Sequence, residues 1–138
     1  MKIFLLLLTA TVSMLFGAEG WLKAPQSVID TKHHLEWQDT QEIAEYSDIF
    51  KMAKAHCEAL HLLEKNDWRL PTKTELLRLG KSKEGKKLFL HLHKEVFWTS
   101  QEDANDDVNA LTVFSGNGFV SSTDKCDTAY TMCVRTSD

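Results

Sequence analysis

The stretch Asp67-Trp68-Arg69-Leu70-Pro71-Thr72-Lys73-Thr74-Glu75-Leu76 constrains the fold more than any other part of this sequence. Trp68 and Leu70 alternate with the charged Asp67 and Arg69, the period-2 pattern of a half-buried strand. Pro71 disfavours the helical region for Leu70, so the extended segment ends there. Thr72 then opens a helix. Its hydroxyl can accept from the Glu75 N–H while the Glu75 carboxylate reaches back to the Thr72 N–H, and Leu76, Leu77 and Leu79 supply the apolar face. A segment carrying a large aromatic must therefore turn directly into a helix, and the rest of the chain has to cover both. Arg69, between apolar neighbours, reads as one half of an internal salt bridge with a nearby carboxylate rather than as a ligand contact.

Before this junction, Val28-Ile29-Asp30 is extended, Thr31 to His34 is a polar break, and Leu35-Glu36-Trp37-Gln38 alternates again, which predicts a hairpin with Leu35 and Trp37 on its inner face. Ile49, Ala53, Cys57, Leu60 and Leu63 then recur at helical spacing, with Lys51, Lys54, Glu58 and Glu64 on the outside, so Cys57 faces a core and the helix is expected to end at Asn66. After the junction, Gly80 to Lys87 is basic and reads as a solvated loop. Val96 to Ser100 reads as a short buried strand, and Glu102 to Asp107 as an acidic loop. Val108 to Phe114 and Phe119 to Ser122 form a hairpin around Ser115-Gly116-Asn117-Gly118, whose turn needs the positive φ that glycine and asparagine tolerate. Tyr130 to Arg135 is β-branched and alternating, and is expected to be a central closing strand. Trp37, Trp68 and Trp98 read as core aromatics, each burying roughly 150–250 Å². Trp21 precedes the domain and reads as lying outside its order.

Residues 1–18 read as a secretory signal peptide: Met1-Lys2, an apolar run from Ile3 to Phe16, and small residues at Gly17-Ala18. The run is short of the ~20 apolar residues that a membrane span needs, and no cysteine follows it to carry a lipid. The expectation is a single domain over residues 19–138, free in the periplasm or outside the cell and without a stable membrane span after cleavage. About 120 residues suffice to bury one core. The net charge of −4, with both signs mixed along the chain, argues against nucleic acid or an anionic membrane as partner. Three cysteines in an exported chain suggest one disulfide and one leftover thiol. Counting leaves open whether Cys126 and Cys133 clip a loop or Cys57 and Cys133 tie the helix to the last strand.

The hairpin with Leu35-Glu36-Trp37-Gln38, the helix ending Ala53-Lys54-Ala55-His56-Cys57-Glu58-Ala59-Leu60, the Trp68-Arg69-Leu70-Pro71-Thr72 stretch with Glu75, Phe97-Trp98-Thr99-Ser100 and the final Cys133-Val134-Arg135 together resemble the Lcl C-terminal domain family of bacterial exported proteins. The resemblance covers about residues 28–135. It implies an α+β, C-type-lectin-like fold of two helices with short antiparallel strands and hairpins, and a disulfide between Cys57 and Cys133. Trp37, Trp68, Arg69, Pro71, Thr72, Glu75 and Trp98 are themselves read as structural residues, from packing, the proline stop, the helix cap and an internal salt bridge. The chain departs from the family in its Thr31–His34 turn, in the additional Cys126 and in a short Gly80–Glu95 segment.

The remaining chemistry is sparse. Asp103, Asn105, Asp107 and Asn109 alternate as oxygen donors of the kind calcium takes. Val108 and Phe114, however, stand where an EF-hand loop needs its glycine and glutamate, so a solvated acidic loop is expected in place of a metal site. His33, His34, His56, His61, His91 and His93 show no four-ligand spacing for zinc, although His91 and His93 would share one side of a strand. Cys126 with any of these histidines lacks a recognisable orienting group or oxyanion element, so no enzyme activity and no cofactor are expected. The function expected is a non-catalytic domain that recognises a glycan or a protein at the cell envelope or outside the cell. The alternative is a structural or accessory envelope protein without a small ligand, and an enzyme is the remote third reading. The family's namesake binds sulfated polysaccharides, but a net-acidic chain whose basic cluster is Lys81 to Lys87 is expected to bind heparin-like polymers weakly.

Overall fold

The computed structural model describes Leu15–Phe16 and residues 20–138. The expected signal peptide, residues 1–18, lies outside the described residues apart from Leu15–Phe16, a two-residue strand β1. The fold is α+β. A first sheet contains β1, β2 (Trp21–Ala24), β3 (Ser27–Asp30), β4 (Leu35–Gln38) and β10 (Val134–Thr136), in the order β1-β2-β3-β4-β10, with every pairing antiparallel. The second contains β5 (Ser47–Asp48), β6 (Val96–Glu102), β7 (Asn109–Phe114), β8 (Phe119–Asp124) and β9 (Ala129–Tyr130), in the order β5-β9-β6-β7-β8. Only β6 and β9 run parallel there. Helices α1 (Glu42–Glu45), α2 (Phe50–Ala59), α3 (Lys73–Lys81) and α4 (Lys83–Lys87) pack around them, so two short helices join the two expected from the sequence.

The middle of the second sheet, in β6 and β7, is buried on both faces, as its alternating side chains require, while β8 at its edge is largely exposed. Phe97 and Val113 face a core shared with Val28 and Trp37 of the first sheet and Leu76 and Leu79 of α3. Trp98 and Ala110 face a second core with Phe50, Ala53 and Cys57 of α2 and with Trp68, Leu70 and Cys133. The Trp98 indole donates to the Asp48 carbonyl at 2.8 Å, and the Trp68 indole to the Leu62 carbonyl at 3.3 Å.

The junction at residues 67–76 is built as its sequence demands on the helical side. Glu75 N–H donates to Thr72 Oγ1 at 3.2 Å, and Thr72 N–H to Glu75 Oε1 at 2.8 Å. On the extended side the expectation of a strand is corrected. Asp67 to Leu70 makes a single bridge, in which Arg69 and Val134 exchange N–H···O bonds of 2.9 Å, and Ser100 N–H donates to the Pro71 carbonyl at 2.8 Å. Three residues thus touch both sheets, which a proline-limited segment can do because it commits to neither ladder.

Five further expectations give way to the structure. Helix α2 ends at Ala59 and not at Asn66: Leu62 and Lys65 bridge across Leu63 and Glu64, whose φ angles of 57° and 60° form a mirror-image turn incompatible with a helix. Residues 80–87 are not a solvated loop: Gly80 and Lys81 finish α3, and α4 packs Gly85 against the Trp21 ring. A Cβ there would stand 2.7 Å from Trp21 Cε2. Trp21 is accordingly a core residue, only 4% exposed, held in register by the pairing of β2 with β3. The final run is not one central strand, because Thr131 to Cys133 leave the second sheet after β9 before β10 joins the far side of the first. His91 and His93 lie in an irregular segment and share no strand face.

Candidate functional site

The residues singled out in the sequence form a junction and not a pocket. Arg69 grips Glu75 with both arms of its guanidinium, at 2.7 and 2.9 Å, and also donates to the Leu70 carbonyl at 3.2 Å. Burial pushes the Glu75 carboxyl up, but the Arg69 hydrogen bonds and the Thr72 amide outweigh it, leaving the carboxyl below its usual value. Pro71, Trp37 and Trp98 are buried. Cys57 and Cys133 are bonded, with Cα atoms 5.4 Å apart, and Cys126 is a free, exposed thiol.

Asp103, Asn105 and Asp107 are turned to local work. Asp103 accepts from the Asn105 amide at 2.9 Å and from the Ser122 hydroxyl at 2.6 Å, and those two bonds hold its carboxyl below the usual range. Asp107 gives its carbonyl to Lys125 Nζ at 2.6 Å. Among the described residues no group of three or more His, Cys, Asp or Glu side chains gathers as a metal site would require. The histidines are scattered: His56 stacks on Tyr46 with ring centroids 4.1 Å apart and meets the Glu42 carboxylate, far from His91 and His93 in the chain.

Two clefts are better placed to receive a ligand. The first, about 460 Å³, lies between the turn after β3 and the α3–α4 corner and is lined by Trp21, Asp30, Lys32, His33, Arg78, Lys81, Ser82 and Glu84. Arg78 and Lys81 are one helical turn apart on α3, so the Thr72 cap that sets the helix phase also sets them side by side. Buried Asp30 accepts from the His33 backbone amide at 3.1 Å and sits 2.8 Å from His33 Nδ1, fixing the ring with Nε2 free. Among the described residues Lys32, Arg78 and Lys81 have neither an ion-pair nor a hydrogen-bond partner for their side chains. Ser82 shares the cleft with the Asp30–His33 pair, but its hydroxyl accepts the Gly85 N–H at 3.0 Å as the cap of α4 and makes no hydrogen bond to the imidazole. The arrangement lacks the nucleophile–base contact of an acyl-transfer triad and offers cationic donors instead.

The second cleft, about 540 Å³, covers the outer face of the first sheet around Leu22, Ile29, Leu63 and Arg135. Arg135 is already saturated. It donates to Asp67 at 2.7 and 3.3 Å, to Glu36 at 2.8 Å and to Asp138 at 3.0 Å, and these partners raise its pKa further. The sequence reading missed Lys32 and Arg78. Arg78 was recoverable from its spacing to Lys81 on a helix of known phase, whereas nothing local marks Lys32, which reaches the cleft only through the hairpin turn.

The architecture defines a disulfide-linked α+β domain of two sheets, with an open cleft where Lys32, Arg78 and Lys81 meet Asp30 and Glu84, and no helix among the described residues long and apolar enough to cross a membrane. The family model of the Lcl C-terminal domain matches residues 26–135, and the chain belongs to that family. No curated protein matches the sequence. The family and the internal disulfide are compatible with an exported protein.

Proposed function

We propose that this chain is a non-catalytic binding domain of the bacterial periplasm or exterior, which takes a glycan or a protein partner through an acidic group seated in the cleft at Lys32, Arg78 and Lys81. The observation that carries this reading is the set of unpaired cations around one concave surface. Three cations outnumber the two carboxylates, Asp30 and Glu84, that share the cleft, and none of the three is ion-paired among the described residues, so an incoming carboxylate, sulfate or phosphate meets a net positive charge and accepts charge-assisted hydrogen bonds. The Trp21 edge and the His33 ring, held by Asp30, give the cleft an apolar wall and an imidazole of fixed orientation. A structural or accessory role is the second reading, favoured by the saturated state of Arg135 in the other cleft.

The test is a glycan array together with pull-down from envelope extract, using the wild-type domain and a Lys32→Ala, Arg78→Ala double variant. The expected result is retention of acid-bearing ligands that falls at least about tenfold in the variant, the scale of losing charge-assisted bonds, with an unchanged melting temperature. A silent array together with pull-down profiles identical for the two proteins would remove the binding reading and leave the scaffold.

A further inference from the structure

Net charge conceals how the charges are sorted. In the second sheet, β6, β7 and β8 run side by side, with Val96, Phe114 and Phe119 opposite one another at one end and Glu102, Ala110 and Thr123 at the other. Strands of this length hold the two ends roughly 20 Å apart. Beyond the Glu102 end lie Asp103, Asp106, Asp107, Asp124 and Asp127. Around the Phe114–Phe119 turn cations outnumber the one nearby carboxylate, Glu95, just as Lys125 is, among the described residues, the lone cation paired at the acidic end. Lys86 Nζ donates to the carbonyls of Gly80, Ser115 and Gly116 at 2.6, 3.2 and 3.0 Å, and Lys94 lines the same small hollow as Ser115 and Gly116. The Lys81 side chain packs against Gly118.

Exposed apolar side chains gather at this same end. Val96, Phe114 and Phe119 are direct cross-strand neighbours and so share a face, with Phe119 65% and Val96 39% exposed. Leu90 is 75% exposed and follows Lys87 in the segment that leads to Val96. Its position is fixed from below. The fully buried Asp39 carboxylate, 2.9 Å from Lys23 Nζ, accepts the Leu90 and His91 N–H groups at 2.9 and 3.0 Å. Ser115 holds the adjoining stretch by accepting the Glu95 amide at 3.0 Å and donating to the His93 carbonyl at 2.6 Å. A desolvated carboxylate is costly to place, and here it orders a loop whose outermost side chain is a leucine in water.

We propose that this end of the second sheet docks on an anionic phospholipid surface, with Leu90, Phe119 and Val96 entering the headgroup boundary and Lys81, Lys87 and Lys94 meeting the phosphates. Exposed apolar groups with ammonium groups beside them, in excess over the neighbouring Glu95, suit the headgroup region of a charged bilayer, which offers hydrocarbon and negative charge within one shallow layer. The acidic end of the sheet then points away from the surface, so a net-negative protein is oriented by the bilayer rather than repelled by it.

Cosedimentation with vesicles of phosphatidylcholine alone, and of phosphatidylcholine with phosphatidylglycerol, tests this. The full domain is expected to bind the anionic vesicles at least about threefold better than the zwitterionic ones, and less so as salt is raised. Leu90→Ser with Phe119→Ser, both at exposed positions, should bring binding down to the zwitterionic level without changing the melting temperature, and so should Lys87→Glu with Lys94→Glu. Equal binding to the two vesicle types, or none, overturns the proposal. So does binding to heparin or an acidic polypeptide that matches the vesicles and survives the Leu90→Ser, Phe119→Ser change, since the surface would then read charge alone.

Discussion

Removing the Cys57–Cys133 bond should cost about a third or more of the stability of this domain, and the cost follows from where the two cysteines lie. They are separated by 76 positions, and the chain-entropy model assigns the closure of such a loop about 4.5 kcal/mol. Both are wholly buried in the core that also holds Trp68 and Trp98. A Cys57→Ala, Cys133→Ala variant therefore keeps its apolar surroundings and loses mainly the cross-link. Building it on a Cys126→Ser background prevents the exposed thiol from forming other pairs. Domains of this size have total stabilities of ~5–15 kcal/mol. With a urea dependence of about 1.5 kcal/mol per molar, the midpoint should fall by about 3 M. Urea melts followed by tryptophan fluorescence measure this directly. A variant with no folded baseline would put the cost at the whole stability of the domain. A shift below about 0.5 M, with cooperativity retained, would refute the reasoning, because the unfolded chain would then gain little freedom from being cut loose.

At the junction, Trp68→Ala should destabilise by roughly 3–5 kcal/mol because it empties a fully packed site, and Thr72→Ala by only ~1 kcal/mol for a lost cap. Urea melts that rank the two equally would count against the separate roles assigned to packing and capping. The Glu75 carboxyl is held below its usual value in the folded state. Its contribution is therefore present at neutral pH, above the unfolded value, and is lost as pH falls through the folded one. Glu75→Gln should flatten the acid side of a stability-against-pH curve below the ordinary glutamate value of about 4.5, and an unchanged acid limb would remove the Arg69–Glu75 pair from the account.

The junction was legible in the sequence because its determinants are local: a proline that bars the helix to Leu70, a threonine and a glutamate three apart, and a leucine run behind them. The two hairpins were legible for the same reason, and Gly118 does take the positive φ, 77°, that its turn requires. What stayed hidden depends on partners distant in the chain. Trp21 belongs to the core only because Gly85, far along the sequence, leaves a flat seat for its ring. Lys86 looked like one more solvated charge, yet its ammonium closes three backbone carbonyls from two segments, and desolvation there lowers its pKa. The last strand alternates evenly enough to be one element, but residues 131–133 carry it from one sheet to the other, and periodicity does not say which ladder a residue joins. The cationic cleft was half legible, since α3 supplies Arg78 and Lys81 in phase while Lys32 arrives from a separate hairpin.

The bond between Cys57 and Cys133 also decides how the protein responds to tension. The strands next to the two ends of the described domain, β2 and β10, lie in the same sheet, and a pull on the carboxyl terminus meets β10 first. Peeling can free Val134–Thr136 from β4, but at Cys133 the load crosses the covalent link to α2 and passes back toward the amino terminus. Residues 58–132, which contain the junction, α3, α4 and nearly all of the second sheet, form a closed loop off the load path. A molecule tethered at one end and dragged at the other would lengthen only by its outer segments. The β6–β8 ladder and α3 would keep their shape under a force that strips the first sheet, whereas Lys32 and His33, which lie on the load path, would be drawn away from Arg78 and Lys81 and the cleft would open.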